Sequence, residues 1–71
     1  MFTSIRSMIR PDGTTLAVGA VTHTTTRQRV TKGEHVEITD RENRVLNVAE
    51  IIDLEYDPIK EQNVVSLRMI A

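Results

Sequence analysis

The chain has no cysteine and no tryptophan, and its 71 residues include a single tyrosine and a single phenylalanine. The lack of cysteine excludes disulfide bonds and zinc sites built on thiolates. The scarcity of aromatic side chains removes the stacking platform on which proteins that bind single-stranded nucleic acid depend. Stability must therefore come from regular packing of aliphatic side chains or from contacts with another chain.

An excess of either charge is also missing, because nine Lys and Arg residues face ten Asp and Glu residues for a net charge of −1. Domains that bind polyanions usually carry a basic excess, so nucleic acid is a disfavoured partner without being excluded. No apolar run approaches the roughly 18–20 residues that a membrane-spanning helix needs. We expect a soluble chain, cytoplasmic or associated with a virion.

The length predicts a single domain over residues 1–71. Below about 70–80 residues a core rarely supplies more than about 3–5 kcal/mol of stability unless a disulfide, a metal or a partner adds to it. We therefore expect a protein partner or self-association, with a homo-oligomer as the simplest form.

What the sequence does contain is β-forming residues, since Thr, Val and Ile together make up 24 of its positions. Turn sequences at residues 10–13, 31–34, 40–43 and 57–63 divide the chain into five short segments. At three positions glycine predicts a positive φ or a close backbone approach, namely Gly13, Gly19 and Gly33.

The five segments differ in how clearly apolar and polar residues alternate along them. Residues 2–10 predict a first strand, and residues 15–21 predict a second strand with a bulge or bend at Gly19. Residues 22–29 then form either a polar strand end or an exposed hairpin arm, with Val30 buried after them. The third strand, residues 34–40, and the last, residues 63–70, alternate with their apolar side chains inward: Val36, Ile38, Val65, Leu67 and Met69.

The fourth segment is ambiguous. More than half of residues 45–55 are β-branched or otherwise apolar, and they fall on both faces, which favours a strand. Residues 47–56 also fit a helix, because Asn47 and Glu50 have the spacing of a capping box and Val48, Ile51, Ile52 and Glu55 recur at helical intervals. We favour the strand, which gives five strands in all. Five antiparallel strands in so short a chain avoid two exposed edges by curling, so the predicted fold is all-β, a small five-stranded antiparallel barrel of OB-like or SH3-like type.

Catalytic and metal-binding patterns are missing from the sequence. His23 and His35 could join Asp12, Glu34 or Asp40 in a metal or acid/base site, but their spacing favours solvated surface histidines. Asp53, Glu55 and Asp57 alternate on one strand face without the loop geometry and glycine of a calcium site. We expect no catalytic residue, no cofactor and no metal, and hence no enzyme.

The remaining candidate is a surface rich in hydroxyls and cations around residues 22–34. It is interpreted as a protein-contact arm or as a solvated edge whose Arg27, Gln28 and Arg29 prevent edge-to-edge aggregation. The alternative is an OB-like nucleic-acid-binding or regulatory surface in which the cations gather at one end of the barrel. The candidate binding residues are Thr24, Thr25, Thr26, Arg27, Gln28, Arg29, Lys32, Arg41, Arg44 and Tyr56.

Two resemblances bear on these alternatives. Residues 9–48 contain "IRPDGTTLAVG" and then "TKGEHVEITDRENRVLNV", which resemble the C-terminal OB-type domain of NfeD-family proteins. The matching residues belong to turns and core: Ile9, Arg10, Pro11, Gly13, Gly19, Lys32, Gly33, Glu34, Val36, Ile38, Asn43, Arg44 and Val45. The resemblance implies a non-catalytic OB barrel that is usually tethered to a membrane segment and works with stomatin-like partners through protein contacts.

Residues 30–70 are also similar to the small barrels of phage head–tail joining and related virion proteins. "VTKGEHVEI", "RVLNVAEIIDLEYDP" and "NVVSLRMI" follow their order of turn, strand, aspartate-containing turn and closing strand. The residues that fill these roles are Val45, Val48, Ile51, Asp57, Val65 and Leu67. This similarity implies a structural subunit that obtains stability and function from its neighbours.

Overall fold

The structure, a computed structural model, describes residues 6–10 and 13–71. Throughout this part of the chain every regular element is a strand, as the sequence predicted, and no helix is long and apolar enough to cross a membrane. The strands are β1 (Arg6–Ile9), β2 (Val21–Thr26), β3 (His35–Thr39), β4 (Val45–Asp57) and β5 (Gln62–Met69).

The five strands form one sheet in the order β1-β3-β4-β5-β2 that curls into a half-barrel. Three of its four pairings are antiparallel, and β3, β4 and β5 follow one another as a meander. The fourth pairing differs from the prediction, because β1 runs parallel to β3. Parallel neighbours need a crossover connection, and here the chain between them also contains β2, on the far side of the sheet. The more specific assignment to an OB-like or SH3-like barrel stays a prediction.

The core lies on the concave face of the sheet, and its members come from β1, from the three meander strands and from the loop before β3. The five side chains predicted to point inward from β3 and β5 are all buried, and Val30 is buried as expected. Strict alternation with Ile38 would turn Thr39 toward solvent, but Thr39 is only 4 % exposed and its hydroxyl forms a hydrogen bond with that of Ser7 (3.1 Å). The buried apolar residues are Met8, Val30, Val36, Ile38, Ala49, Ile51, Val65, Leu67 and Met69.

The ambiguous fourth segment is a strand throughout, so the helical alternative for residues 47–56 is wrong. The register between β4 and β5 shifts between Ile51 and Asp53, which leaves one extra residue in β4. Because of this bulge, both Ile51, opposite Leu67, and Leu54, opposite Val65, turn toward the core although they lie three residues apart. A spacing of three also occurs on one face of a helix, which explains why the sequence was ambiguous here.

The second predicted strand is wrong in its position. Residues 13–20 form a loop that turns at residues 18–19, and the threonine-rich segment, expected to be a strand end or an arm, is the strand β2 itself. Leu16 and Ala20 pack against the core from the loop, whereas Val18 between them is 71 % exposed, so the alternation seen in the sequence is not an alternation of burial. The side chain of Asn47 fixes the backbone of this loop. It accepts a hydrogen bond from the N–H of Leu16 (2.8 Å) and donates one to the carbonyl oxygen of Leu16 (2.9 Å).

Left-handed backbone occurs at all three predicted glycines, with φ of 66° at Gly13, 90° at Gly19 and 91° at Gly33. At Gly33 this conformation aims the N–H at the carbonyl oxygen of Ile51 (2.7 Å), so the chain enters β3 already paired with β4. Residues 2–5 of the first predicted strand, and Pro11 and Asp12 of the first predicted turn, lie outside the described residues.

The turn between β4 and β5 is organised by Asp57, whose Oδ1 accepts hydrogen bonds from the N–H groups of Ile59 (3.0 Å) and Lys60 (3.3 Å). Its last residue, Glu61, has a φ of 51°, a conformation that costs a residue with a side chain roughly 1–2 kcal/mol. Glycine would adopt it without that cost.

Asn47 is expected to be the most sensitive polar position of the described core. It is 4 % exposed, and its amide also donates to the carbonyl oxygen of Ala71 (3.0 Å). Asn47→Ala leaves these backbone groups unpaired, so we expect the free energy of unfolding to fall by about 2–3 kcal/mol. Urea titration followed by circular dichroism measures it. Asn63→Ala, which removes the exposed amide that bonds to Gln28, is the matched control and should cost less than about 1 kcal/mol; equal losses would contradict the role given to Asn47.

Glu61 offers a stabilising substitution. Glu61→Gly relieves the left-handed strain but gives the unfolded chain more freedom, so we expect a net gain of about 0.5–1 kcal/mol. For a domain of this size the melting temperature should rise by about 4 °C. Glu61→Ala removes the same side chain and keeps the strain, so its melting temperature should not rise. A similar gain in both variants would mean that the glutamate side chain, and not the backbone, is unfavourable.

Candidate interaction surface

The threonines of the candidate surface are divided between the two faces of β2. Thr24 and Thr26 lie opposite Val65 and Asn63, point to the concave side and are half-buried. Thr25 lies opposite Val64 and is exposed on the convex side. The three hydroxyls therefore do not converge on one point, and a shared phosphate or metal site at this threonine run is not formed.

The segment after β2 is tied to the sheet at several points. The N–H of Gln28 donates to the hydroxyl of Thr26 (3.1 Å), and the Asn63 amide donates to the carbonyl oxygen of Gln28 (3.0 Å). Val30 is buried in the core two residues later. Arg27 and Arg29 lie on either side of Gln28, and both are exposed. The segment thus presents two cations on an anchored backbone.

Arg41 and Arg44 lie at the other end of the sheet, contrary to the prediction that the cations gather at one end. They belong to the turn that precedes β4, whereas the end of β2 lies beside Asn63, which pairs with Tyr56 near the end of β4. Arg44 is also engaged, because its guanidinium donates to the carboxylates of Asp40 (2.8 Å) and Glu42. The sequence could not show this, since the position of each turn depends on strand order and direction.

Asp40 is the organising residue of that turn. Its Oδ1 accepts hydrogen bonds from the backbone N–H groups of Arg44 and Glu42, each at 2.9 Å, and its Oδ2 accepts from Nε of Arg44. The backbone hydrogen bond from Arg44 is the largest cause that lowers the pKa of Asp40; burial opposes it, and the hydrogen bond from Glu42 and the Arg44 guanidinium lower it further. The carboxylate therefore works as a structural anion that caps backbone donors.

The histidines remain apart from each other. His23 is exposed on β2, and its Nδ1 lies 2.9 Å from the Ser66 hydroxyl on the neighbouring strand. His35 is exposed at the start of β3.

Asp53, Glu55 and Asp57 face the convex side in alternation, as predicted. In the described ranges no three His, Asp or Glu side chains are close enough together to hold a metal ion, while Asp12 lies outside those ranges.

Tyr56 belongs to a projecting hairpin that we call the β4–β5 arm, residues 52–63. Pairing of β3 with β4 reaches only to Glu50 and to the backbone contacts of Ile51, so beyond that point β4 has β5 on one side and no described strand on the other. The N–H of Leu54 is capped by the Asp53 carboxylate (2.9 Å). Tyr56 is 58 % exposed and Ile59 is 91 % exposed.

Sequence reasoning missed Ile59, although the signal was present. An isoleucine directly after Pro58, in a turn otherwise made of polar residues, has no strand or helix face on which to be buried. Val64, which follows the arm on β5 and is partly exposed on the convex face, was missed for another reason. Two consecutive valines in a strand must point to opposite faces, and Val65 takes the core.

The open side of the half-barrel lies between β1 and β2, the two outer strands of the sheet. The N–H of Met69 donates to the carbonyl oxygen of Ala20 (2.9 Å), so the alternation of an antiparallel ladder turns the backbone groups of Val21, His23 and Thr25 away from β5. We call this opening the β1–β2 groove. A cavity of about 110 Å³ lies in it, lined by residues of both strands and floored by Ile38 and Leu67.

Comparison with protein-family models, with curated proteins and with solved structures gave no match to this chain. The resemblances to the NfeD-type domain and to phage head–tail joining barrels therefore stay predictions, and the described geometry is the basis for a functional proposal.

The pKa of Asp40 generates a prediction for acid stability. Because the folded pKa is lowered below 3.8, the unfolded chain binds the proton more readily, and the stabilisation present above that value is lost as the pH falls through the folded pKa. Melting temperatures between pH 7 and pH 2.5 should therefore fall more steeply for the wild type than for Asp40→Asn, which keeps an oxygen acceptor without the titration. Glu42→Gln preserves the hydrogen bonds of Asp40 and should follow the wild type; a slope as shallow as that of Asp40→Asn would contradict this assignment.

Proposed function

We propose that the chain is a non-catalytic protein-contact module, a small β half-barrel that acts as a structural part of an assembly. The observation that carries the proposal is the β4–β5 arm, which presents Ile59 almost fully exposed and Tyr56 more than half exposed. Exposed apolar side chains on a projecting hairpin, beyond the reach of the neighbouring strand, are typical of a surface that a partner covers.

The size of the core supports the same proposal. Nine buried apolar side chains, one of them an alanine, form the buried core of the described chain. Domains near this size are marginally stable unless something is added to the core, and contact with another protein is one such addition. Both family resemblances imply function through protein contacts, and the phage resemblance would make the assembly a virion.

A second candidate function is an OB-like nucleic-acid-binding or regulatory surface. Arg27, Arg29 and Lys32 favour it, because they are exposed and none of them forms an ion pair in the described part of the chain. Arg41 and Arg44, however, lie at the other end of the sheet and do not belong to this surface, and Tyr56 is its one exposed aromatic ring. Three cations and one ring favour a contact weaker than that of established single-strand binders.

The mass in solution tests the principal proposal. Size-exclusion chromatography with light scattering, at two protein concentrations, should show a species larger than the 8.0 kDa monomer. Ile59→Ser should shift that species toward the monomer, because it removes the most exposed apolar side chain of the arm. Val45→Ser changes an exposed apolar residue at the other end of β4 and should leave the mass unchanged.

A monomer at every concentration would contradict self-assembly, and equal effects of Ile59→Ser and Val45→Ser would contradict the arm as the contact. The nucleic-acid alternative is tested with a fluorescent oligonucleotide. Binding that falls steeply with salt, and with Arg27→Ala combined with Arg29→Ala, would replace the protein-contact proposal.

A further inference from the structure

The β1–β2 groove has walls that are strand edges. On the β2 side, the N–H and C=O groups of Val21, His23 and Thr25 point into the opening and find no ladder partner in the described chain. On the β1 side, the N–H of Arg10 donates to the carbonyl oxygen of Thr39 on β3 (2.7 Å). Because backbone groups alternate in direction along a strand, the N–H and C=O groups of Ile9 and Ser7 point away from β3, into the same opening. Such edges recognise an extended backbone.

β2 lacks the features that usually keep a strand edge unpaired. It contains no proline, no lysine and no carboxylate, and no bulge interrupts its pairing with β5 from Val21 to Thr26. The exposed edge of β4 in the arm is different, because Asp53 caps one of its N–H groups and three carboxylates alternate along its convex face. Two β4 edges would repel each other, whereas β2 carries no carboxylate that would repel a β4 edge.

Charge distinguishes which strand fits the groove. The chain passes from β2 directly into Arg27 and Arg29, both exposed. The arm carries four carboxylates, those of Asp53, Glu55, Asp57 and Glu61, against the single cation of Lys60. The positive charges of Arg27 and Arg29 at the end of the groove are therefore complementary to the negative charge of the β4–β5 arm, and this chain contains both.

We propose that the β1–β2 groove of one copy receives the β4–β5 arm of a second copy, whose β4 edge adds to β2 and whose acidic side chains face Arg27 and Arg29. This inference rests on the proposed function, since it names the partner of the same arm. The contact joins two different surfaces, so it is heterologous and extends head to tail into a ring or a filament.

The proposal is tested by blocking each surface separately in the full chain. Thr25→Pro removes an N–H that points into the groove and leaves the ladder to β5 intact, since proline is tolerated at the free side of an edge strand. Thr25→Ala keeps the N–H and is its matched control. Ile59→Ser blocks the arm. By light scattering, Thr25→Pro and Ile59→Ser should each be monomeric, and Thr25→Ala should assemble like the wild type.

Mixing the two blocked variants gives the decisive result. Thr25→Pro still has an arm and Ile59→Ser still has a groove, so an equimolar mixture should form a one-to-one heterodimer of twice the 8.0 kDa monomer mass and no larger species. If Thr25→Pro fails to fold by circular dichroism, the double variant Arg27→Glu, Arg29→Glu takes its place as the groove-blocked chain. A mixture that stays monomeric overturns the proposal.

The outcomes separate this inference from the proposed function. A wild type that assembles, together with a folded Thr25→Pro or charge-reversed variant that assembles equally well, overturns the groove as the acceptor and leaves the protein-contact function standing. A wild type that stays monomeric at all concentrations overturns this inference together with self-assembly, and leaves contact with a different protein as the form of the proposed function. Assembly of the wild type that is lost in the groove variant and restored in the mixture supports both.

Discussion

The structure depends on one constraint: a single sheet with no second layer must bury its own apolar face. No described helix covers the concave side, so the sheet curls until side chains from its outer and inner strands meet. The bulge between Ile51 and Asp53 keeps Leu54 on the concave side after the strand bends, and the loop of residues 13–20 adds Leu16 and Ala20. Asn47 holds that loop because a backbone segment packed against a core needs partners for its polar groups.

Local rules predicted the parts of this fold that local chemistry determines. Alternation predicted the inward faces of β3 and β5, and glycine predicted left-handed backbone at Gly13, Gly19 and Gly33. Local rules failed where the conformation of a segment depends on a residue or strand far away in the sequence. Residues 16–20 alternate in sequence but belong to a loop that Asn47 holds, and the parallel pairing of β1 depends on strand order.

The candidate surface shows the same division. Exposure of Arg27, Arg29 and Tyr56 followed from their polarity and from the turns beside them. Whether Arg41 and Arg44 share an end with Arg27 depends on the direction of each strand in the finished sheet, and composition carries no information about that. The exposure of Ile59 could have been predicted, because an apolar residue in a polar turn has no core to enter. Its position on a projecting hairpin could not, because that depends on where the pairing of β3 with β4 ends.

The sheet order also has a consequence for the path of folding. The strands β3, β4 and β5 are joined by short turns, one organised by Asp40 and the other by Asp57, so their pairing closes small loops. β2 must find β5 across most of the chain, since Val21 pairs with Arg68, and β1 must find β3 across the intervening β2. Loop-closure entropy places these long-range steps last and makes them slow. We therefore expect the meander to pair first, with its outer edges at β3 and β5 open until β1 and β2 dock on them.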